Sequence, residues 1–271
     1  MTAPTPEYEV YALRYGDQGV DMVPAGHLVL SAPEDQMVPA MAYYVWVIRG
    51  DGRTIMVDTG FAPALTERLG SRLHFSGPDG LRRLGGDPAT VSDLIVTHAH
   101  YDHTGNLDAF PQAVLHIDAE MMPIVDGSDP CHPFFRQGYG KRDCATILRA
   151  KADGRLVEHD RVSRPWPGIE LINIGGHCRG QMAVQVNTRR GPIVLASDAV
   201  HLYQEWEEER PFGVFYNMRD MLAGYTTLKH LSGGNRAGMI PGHDAAVMTM
   251  FPAPAAGLLG EAVALHEDLL E

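Results

Sequence analysis

The seven residues Thr97-His98-Ala99-His100-Tyr101-Asp102-His103 limit what this chain can fold into more than any other stretch. Four potential metal ligands fall within six positions, directly after the apolar run Leu94-Ile95-Val96. Imidazole and carboxylate together suit zinc and neighbouring divalent ions. Three histidines and an aspartate this close are hard to explain as packing. The stretch predicts a metal centre at the end of a buried strand.

Three more candidate ligands share that position. His177 follows Leu171-Ile172-Asn173-Ile174-Gly175-Gly176, Asp198 follows Ile193-Val194-Leu195-Ala196-Ser197, and His243 follows Met239-Ile240-Pro241-Gly242. In open α/β sheets, sites form beyond the carboxyl ends of strands, so these loops can converge. The glycines at 175, 176 and 242 let the backbone turn tightly near the centre. The set His98, His100, Asp102, His103, His177, Asp198 and His243 exceeds what one tetrahedral zinc needs. It fits two divalent metal ions, with Zn2+ the first choice and one carboxylate bridging. Such a pair, roughly 3.5–4 Å apart, can hold a hydroxide between the ions. A lone histidine is more often a surface or core residue than a ligand. The histidines at 27, 74, 116, 132, 159, 201, 230 and 266 keep that plainer reading unless something else singles them out.

Strand-like runs recur at 44–48, 54–57, 94–96, 114–117, 171–174, 183–186 and 193–195. Many are continuously apolar and bounded by Gly, Asp or Asn, as expected of buried strands. Helical spacing predicts helices at Pro63 to Leu69 before Gly70, at Met218 to Leu231, and at Ala255 to Leu270. Strands and helices mixed along the whole chain predict one α/β domain, residues 1–271, with layered sheets. The stretch 121–168 is rich in Pro, Gly, Arg and aromatics and shows only short periodic segments. It reads as an insertion that could cover a site.

The 271 residues suffice for a sizeable core, and 45% hydrophobic with 21% charged residues is ordinary for a soluble protein. A formal charge of -12 with no basic stripe argues against nucleic acid and gives no reason to expect an anionic membrane. Three cysteines, Cys131, Cys144 and Cys178, do not make a disulfide framework, so a reducing compartment is expected. The N-terminal residues lack a basic-then-apolar pattern, and no apolar run approaches the roughly 20 residues of a membrane span. A cytoplasmic protein acting on a small molecule, which could pair as a homodimer, is the expectation.

The signature His-x-His-x-Asp-His, matched by His98 to His103, resembles that of the metallo-β-lactamase fold superfamily. Val57-Asp58-Thr59-Gly60, Gly176-His177, Ser197-Asp198 and Pro241-Gly242-His243-Asp244 resemble the family's other motifs, in the same order, over roughly residues 44 to 245. The resemblance implies an αββα sandwich with metals at one edge of two sheets. His98, His100 and His177 would hold one ion, and Asp102, His103 and His243 the other, with Asp198 between them. Asp58 would orient the ligand loop by hydrogen bonds. The spacing is most similar to that of the quorum-quenching N-acyl homoserine lactone lactonases. Those carry a tyrosine three residues after the bridging aspartate, where this chain has His201, with Tyr203 nearby.

The chemistry so implied is hydrolytic opening of a lactone ring by a metal-bridging hydroxide. Asp102 or Asp198 would carry the proton, and His201 would donate a hydrogen bond to the developing charge. Tyr203, Phe134 and Phe135 are candidate substrate contacts. A thioester, cyclic amide or imide, or phosphodiester could be cut at the same site. A phosphodiesterase would want more positive charge, and a di-iron centre would usually accompany a flavin domain, for which there is no room.

Overall fold

Every residue from Ala42 to Ile48 is buried. Side chains alternate along a strand, so Tyr44, Trp46 and Ile48 face one apolar cluster, and Tyr43, Val45 and Val47 face another. A strand buried on both faces needs a layer on each side. The computed structural model, which describes residues 4–33, 35–130 and 132–270, supplies both layers.

The strands in chain order are β1 (Glu9–Asp17), β2 (Met22–Pro24), β3 (Met37–Pro39), β4 (Ala42–Gly50), β5 (Arg53–Val57), β6 (Arg72–Leu73), β7 (Asp93–Ile95) and β8 (Val114–Asp118). They continue with β9 (Leu156–His159), β10 (Val162–Trp166), β11 (Ile169–Asn173), β12 (Met182–Thr188), β13 (Gly191–Ser197), β14 (Met239–Pro241) and β15 (Ala262–Ala264). One sheet has the order β15-β1-β4-β5-β7-β8-β9, with β6 beside β1; the other runs β10-β11-β12-β13-β14. β2 and β3 form a separate ribbon.

Trp46 and Val57 of the first sheet meet Leu171, Val184 and Leu195 of the second in the core between the sheets. Trp46 is fully buried there, so its truncation to Ala is expected to cost about 3–5 kcal/mol. The outer face of the first sheet packs on Leu81 of the helix Gly77–Arg83 and on Ile147 and Ala150 of the helix Lys141–Ala152. Met221, Tyr225 and Leu228 of the helix Met218–Leu231 cover the second sheet. The architecture is an αββα sandwich.

Strand direction sets where loops can meet. β5, β7 and β8 are parallel, as are β13 and β14. β11 and β13 are both antiparallel to β12, so they run the same way. The ends of β11, β13 and β14 therefore share one edge.

Two sequence expectations change here. The C-terminal helix over 255–270 is absent among the described residues. A single helical turn at Ala256–Leu258 leads through Gly260, at φ 77°, into β15. Ala262 and Ala264 face the outer cluster while Val263 and Leu265 face the inter-sheet core, so the apolar spacing was that of a strand. The stretch 121–168 carries the chain from the first sheet to the second. It holds the 12-residue helix Lys141–Ala152, then β9 at one sheet's edge and β10 at the other's. Cys144 and Cys178 are free thiols, while Cys131 lies outside the described residues. No helix among the described residues is long and apolar enough to cross a membrane.

Candidate metal centre

Five strand ends supply the centre. Asp58 follows β5, the 97–103 loop follows β7, His177 follows β11, Asp198 follows β13 and His243 follows β14. The turns are tight. Asp58 and Ser197 sit at φ 60° and 48°, in the left-handed region where side chains other than Gly are uncommon. Gly176, at φ 82°, passes so close to the helix 218–231 that a Cβ would lie 2.5 Å from the Met221 Cα.

Thr97 fastens the two sheets together at this edge. Its N–H donates to Asp58 Oδ1 (2.8 Å) and its hydroxyl to Asp58 Oδ2 (2.7 Å). The Ser197 hydroxyl lies 2.8 Å from the same Thr97 oxygen, and the Met182 N–H donates to the Thr97 carbonyl (2.9 Å). Asp58 Oδ2 also accepts from His103 Nδ1 (2.8 Å). Fully buried, Asp58 thus orients both the loop and one of its rings.

The candidate ligands fall into groups whose nitrogen or oxygen atoms lie within 4.8 Å of one another: His98, His100 and His177; Asp102, His103, Asp198 and His243; and His177, Asp198 and His201. His100 Nδ1 is 3.1 Å from His98 Nε2 and 2.9 Å from His177 Nε2. Asp198 Oδ2 lies 3.8 Å from His98 Nε2, 3.5 Å from His177 Nε2 and 3.3 Å from His201 Nε2. Asp198 Oδ1 lies 3.3 Å from His103 Nε2 and 3.1 Å from His243 Nε2.

Proton placement tests whether cations fit here. His177 Nδ1 donates to the Val214 carbonyl (3.0 Å) and His243 Nδ1 to the Ala42 carbonyl (2.8 Å). Carbonyls only accept, so each ring carries its proton there and turns a bare Nε2 lone pair inward. His103, anchored on Asp58, does the same. Its Nε2 and Asp198 Oδ1 make no hydrogen bond although both are buried. Imidazole nitrogens and carboxylate oxygens packed this closely call for positive charge among them, which bound cations or added protons supply. The donor set, imidazole nitrogen with carboxylate oxygen, fits divalent ions.

Electrostatics divide the rings into two sets. Burial holds His98 and His177 well below the usual imidazole range and brings His100 down to about 4, so these rings are neutral and free to ligate. Burial acts the same way on His103 and His201, but carboxylates overcome it. Asp198, Asp102 and Asp58 hold His103 well above the usual value, and Asp198 with Glu205 lifts His201 to about 9. Burial pushes the Asp198 carboxyl up, and the histidines led by His243 and His103 more than reverse it.

A cavity of about 280 Å³ opens on this cluster. Its polar floor includes His100, Asp102, His177, Asp198, His201 and His243, and its apolar wall includes Met41, Phe134, Phe135, Phe212 and Phe215. Phe134 is 62% exposed at the mouth, and Phe135 packs against Tyr216 with ring centroids 4.8 Å apart. The 134–139 segment is pinned to the cluster: Tyr101 N–H donates to the Gly138 carbonyl (2.8 Å), and His100 and Tyr139 form an isolated bridge.

Tyr203 is the sequence candidate that does not reach the cavity. It opens the short helix Tyr203–Glu208 and is buried in the inter-sheet core. Its hydroxyl donates to the Arg236 carbonyl (3.1 Å) and its N–H to Asp244 (2.9 Å), which turns the ring away. Of the two, it is His201 that lies on the polar floor. Sequence reasoning missed Glu205, a fully buried carboxylate 3.3 Å from His201 Nδ1. The i, i+4 spacing of His201 and Glu205 was the available signal. It also missed Phe212, whose ring stacks on His201 at 3.7 Å between centroids; nothing local in the sequence marks it.

The model of the metallo-beta-lactamase superfamily matches residues 38–243, more than half of the chain. The chain belongs to the metallo-beta-lactamase superfamily. Within it, the N-acyl homoserine lactonase AiiB of Agrobacterium fabrum (strain C58 / ATCC 33970) is 28% identical over 184 residues, 60% of this chain and 64% of that protein. An N-acyl homoserine lactonase of Bacillus sp is 24% identical over 217 residues, 71% of this chain and 80% of that one. The match to the first relative thus spans less than two thirds of its length. Among solved superfamily structures, AidC, a dizinc quorum-quenching lactonase, superposes with a TM-score of 0.69 at 14% identity, covering 100% of this chain and 98% of that one. That likeness is one of fold.

Proposed function

We propose that this protein is a dinuclear metal-dependent hydrolase that opens a lactone ring, an N-acyl homoserine lactone or a related small lactone. The observation that carries the reading is the convergence of inward-facing imidazole nitrogens on a shared buried carboxylate at the floor of an apolar cavity. The lactonases among the relatives and the dizinc fold neighbour support the choice of substrate class and of zinc.

In this reading His98, His100 and His177 would hold one ion, Asp102, His103 and His243 the other, and Asp198 would be available to both. Bound divalent ions supply Lewis acidity and lower the pKa of water to near neutrality. The chain's own groups do the rest. Asp58 fixes His103, and the Val214 and Ala42 carbonyls fix His177 and His243, so the site is preorganised before substrate arrives. Asp102 or Asp198 takes up the proton lost by the attacking water and returns it to the ring oxygen that leaves. His201 completes the floor on which the carbonyl rests. Phe134 and Phe135, on the 121–168 stretch, cover an acyl chain and exclude water.

The test is a pH-stat assay of metal-loaded protein against lactones, thioesters, cyclic amides and phosphodiesters. Lactone turnover, lost in His98→Ala and Asp198→Asn, is the expected result. Inactivity on every lactone with turnover of another class would overturn it. The second reading, cleavage of another ester, thioester or cyclic amide at the same centre, draws on His201, which stands where the lactonases carry tyrosine.

A further inference from the structure

We propose that His201 is an additional metal ligand of this centre and that Glu205 is the positioning residue that aims it. The proposal rests on the dimetal reading above but not on its substrate.

His201 stands as close to the shared carboxylate as the other rings do. Its Nε2 is 3.3 Å from Asp198 Oδ2, the same separation as His103 Nε2 from Asp198 Oδ1 and shorter than those of His98 and His177. It forms a ligand-sized group with His177 and Asp198, both already in the set. The ring cannot swing elsewhere. It is 1% exposed, stacked on Phe212 at 3.7 Å and 14°, and edge-on to His177 at 4.8 Å.

Glu205 supplies what a ligating imidazole needs behind it. Metal-bound histidines almost always give their other N–H to a carboxylate or carbonyl. Asp58, Val214 and Ala42 do this for His103, His177 and His243. Glu205 Oε1 accepts the N–H groups of His201 and Leu202 and stands 3.3 Å from His201 Nδ1, so the oxygen that holds the backbone also faces the ring nitrogen, without a formed hydrogen bond to it. With the proton kept on Nδ1, Nε2 presents a lone pair to the centre. Burying a carboxylate completely is costly; its backbone bonds cap the helix Tyr203–Glu208, and the His201 ring nitrogen is the further group it faces.

The measurement that decides is a count of metal-bound imidazoles. In cobalt(II)-loaded wild-type protein, each ligating histidine gives one solvent-exchangeable, paramagnetically shifted N–H proton resonance. His98, His100, His103, His177 and His243 account for five, and His201 makes six. Five resonances would overturn the proposal without any variant being made. In His201→Gln, one resonance should vanish, the cobalt d–d bands should shift, and metal affinity should fall about 10–100-fold. Glu205→Gln should displace that same resonance and weaken binding, and Glu205→Asp should restore part of it. An unchanged cobalt spectrum in His201→Gln, with only hydrolysis lost, would make His201 a substrate donor and sink the ligand assignment. Six resonances in a protein that opens no lactone would refute the substrate reading and leave this one standing.

Discussion

At the scale of single residues, the centre depends on groups that touch no substrate. Asp58 is the clearest. Asp58→Asn keeps a side chain that tolerates φ 60° while removing the charge that holds His103. Metal affinity should drop about 10–100-fold, read by competition with a coloured chelator. Wild-type affinity would mean that Thr97 alone orients the loop. Tyr203 should behave in the opposite way. Tyr203→Phe removes a buried hydrogen bond to the Arg236 carbonyl and should cost about 1 kcal/mol in denaturant unfolding. Its kcat/KM should stay near that of the unaltered protein; a loss of tenfold or more would return Tyr203 to the site. The ligand residues were legible in the sequence because their type and spacing are unusual. Glu205 and Phe212 were not, because an acid four residues from a histidine and a phenylalanine in a loop are common patterns.

Elements act here mainly by where they end and how closely they pass. The 134–139 segment approaches His100 so closely that a Cβ on Gly138 would lie 2.5 Å from a ring carbon. Gly138→Ala must therefore displace the segment or the ring. Expected outcomes are a lower metal content by elemental analysis, a tenfold or greater fall in hydrolysis, and a stability cost of about 1–3 kcal/mol. Full metal occupancy with full activity would show that the ring has room to give. Strands with continuous apolar runs, β4, β5, β8 and β13, were legible because burial on both faces leaves that mark. β1 was passed over: Glu9–Asp17 mixes Glu, Arg and Asp with buried Val10, Ala12 and Leu13. β15 was read as helix because few apolar residues fit either period, and only its place beside β1 settles the matter.

At the scale of the whole molecule, stability should depend on metal and on pH. Stripping ions with a chelator leaves converging lone pairs and carboxylates uncompensated and should lower the melting temperature, restored on adding zinc. Outside the candidate ligand set, Ser163, His159, His116 and Asp93 form a hydrogen-bonded chain across the sheet ends, with distances of 2.8, 2.9 and 3.1 Å. Burial, then the neighbouring His116, brings His159 down to about 4 from an ordinary 6.5, and burial lowers His116 as well. The unfolded chain therefore binds protons between pH 6.5 and 4 that the folded one refuses, so stability falls as pH drops through that window. Comparing the wild type with His159→Gln across it isolates the effect. The wild type should lose stability more steeply, and parallel curves would refute the assignment. By itself the sequence marked the candidate ligand residues, the αββα class and the metal-dependent hydrolase type. Unusual side chains at strand ends, and strands apolar on both faces, are local marks that survive without coordinates. Only the tertiary structure decided which polar groups stand behind the candidate ligands, that Tyr203 faces the core while His201 faces the candidate centre, and that the 134–139 segment lines the cavity. Those outcomes hang on contacts between residues distant in sequence, where packing of two sheets fixes the direction of each side chain.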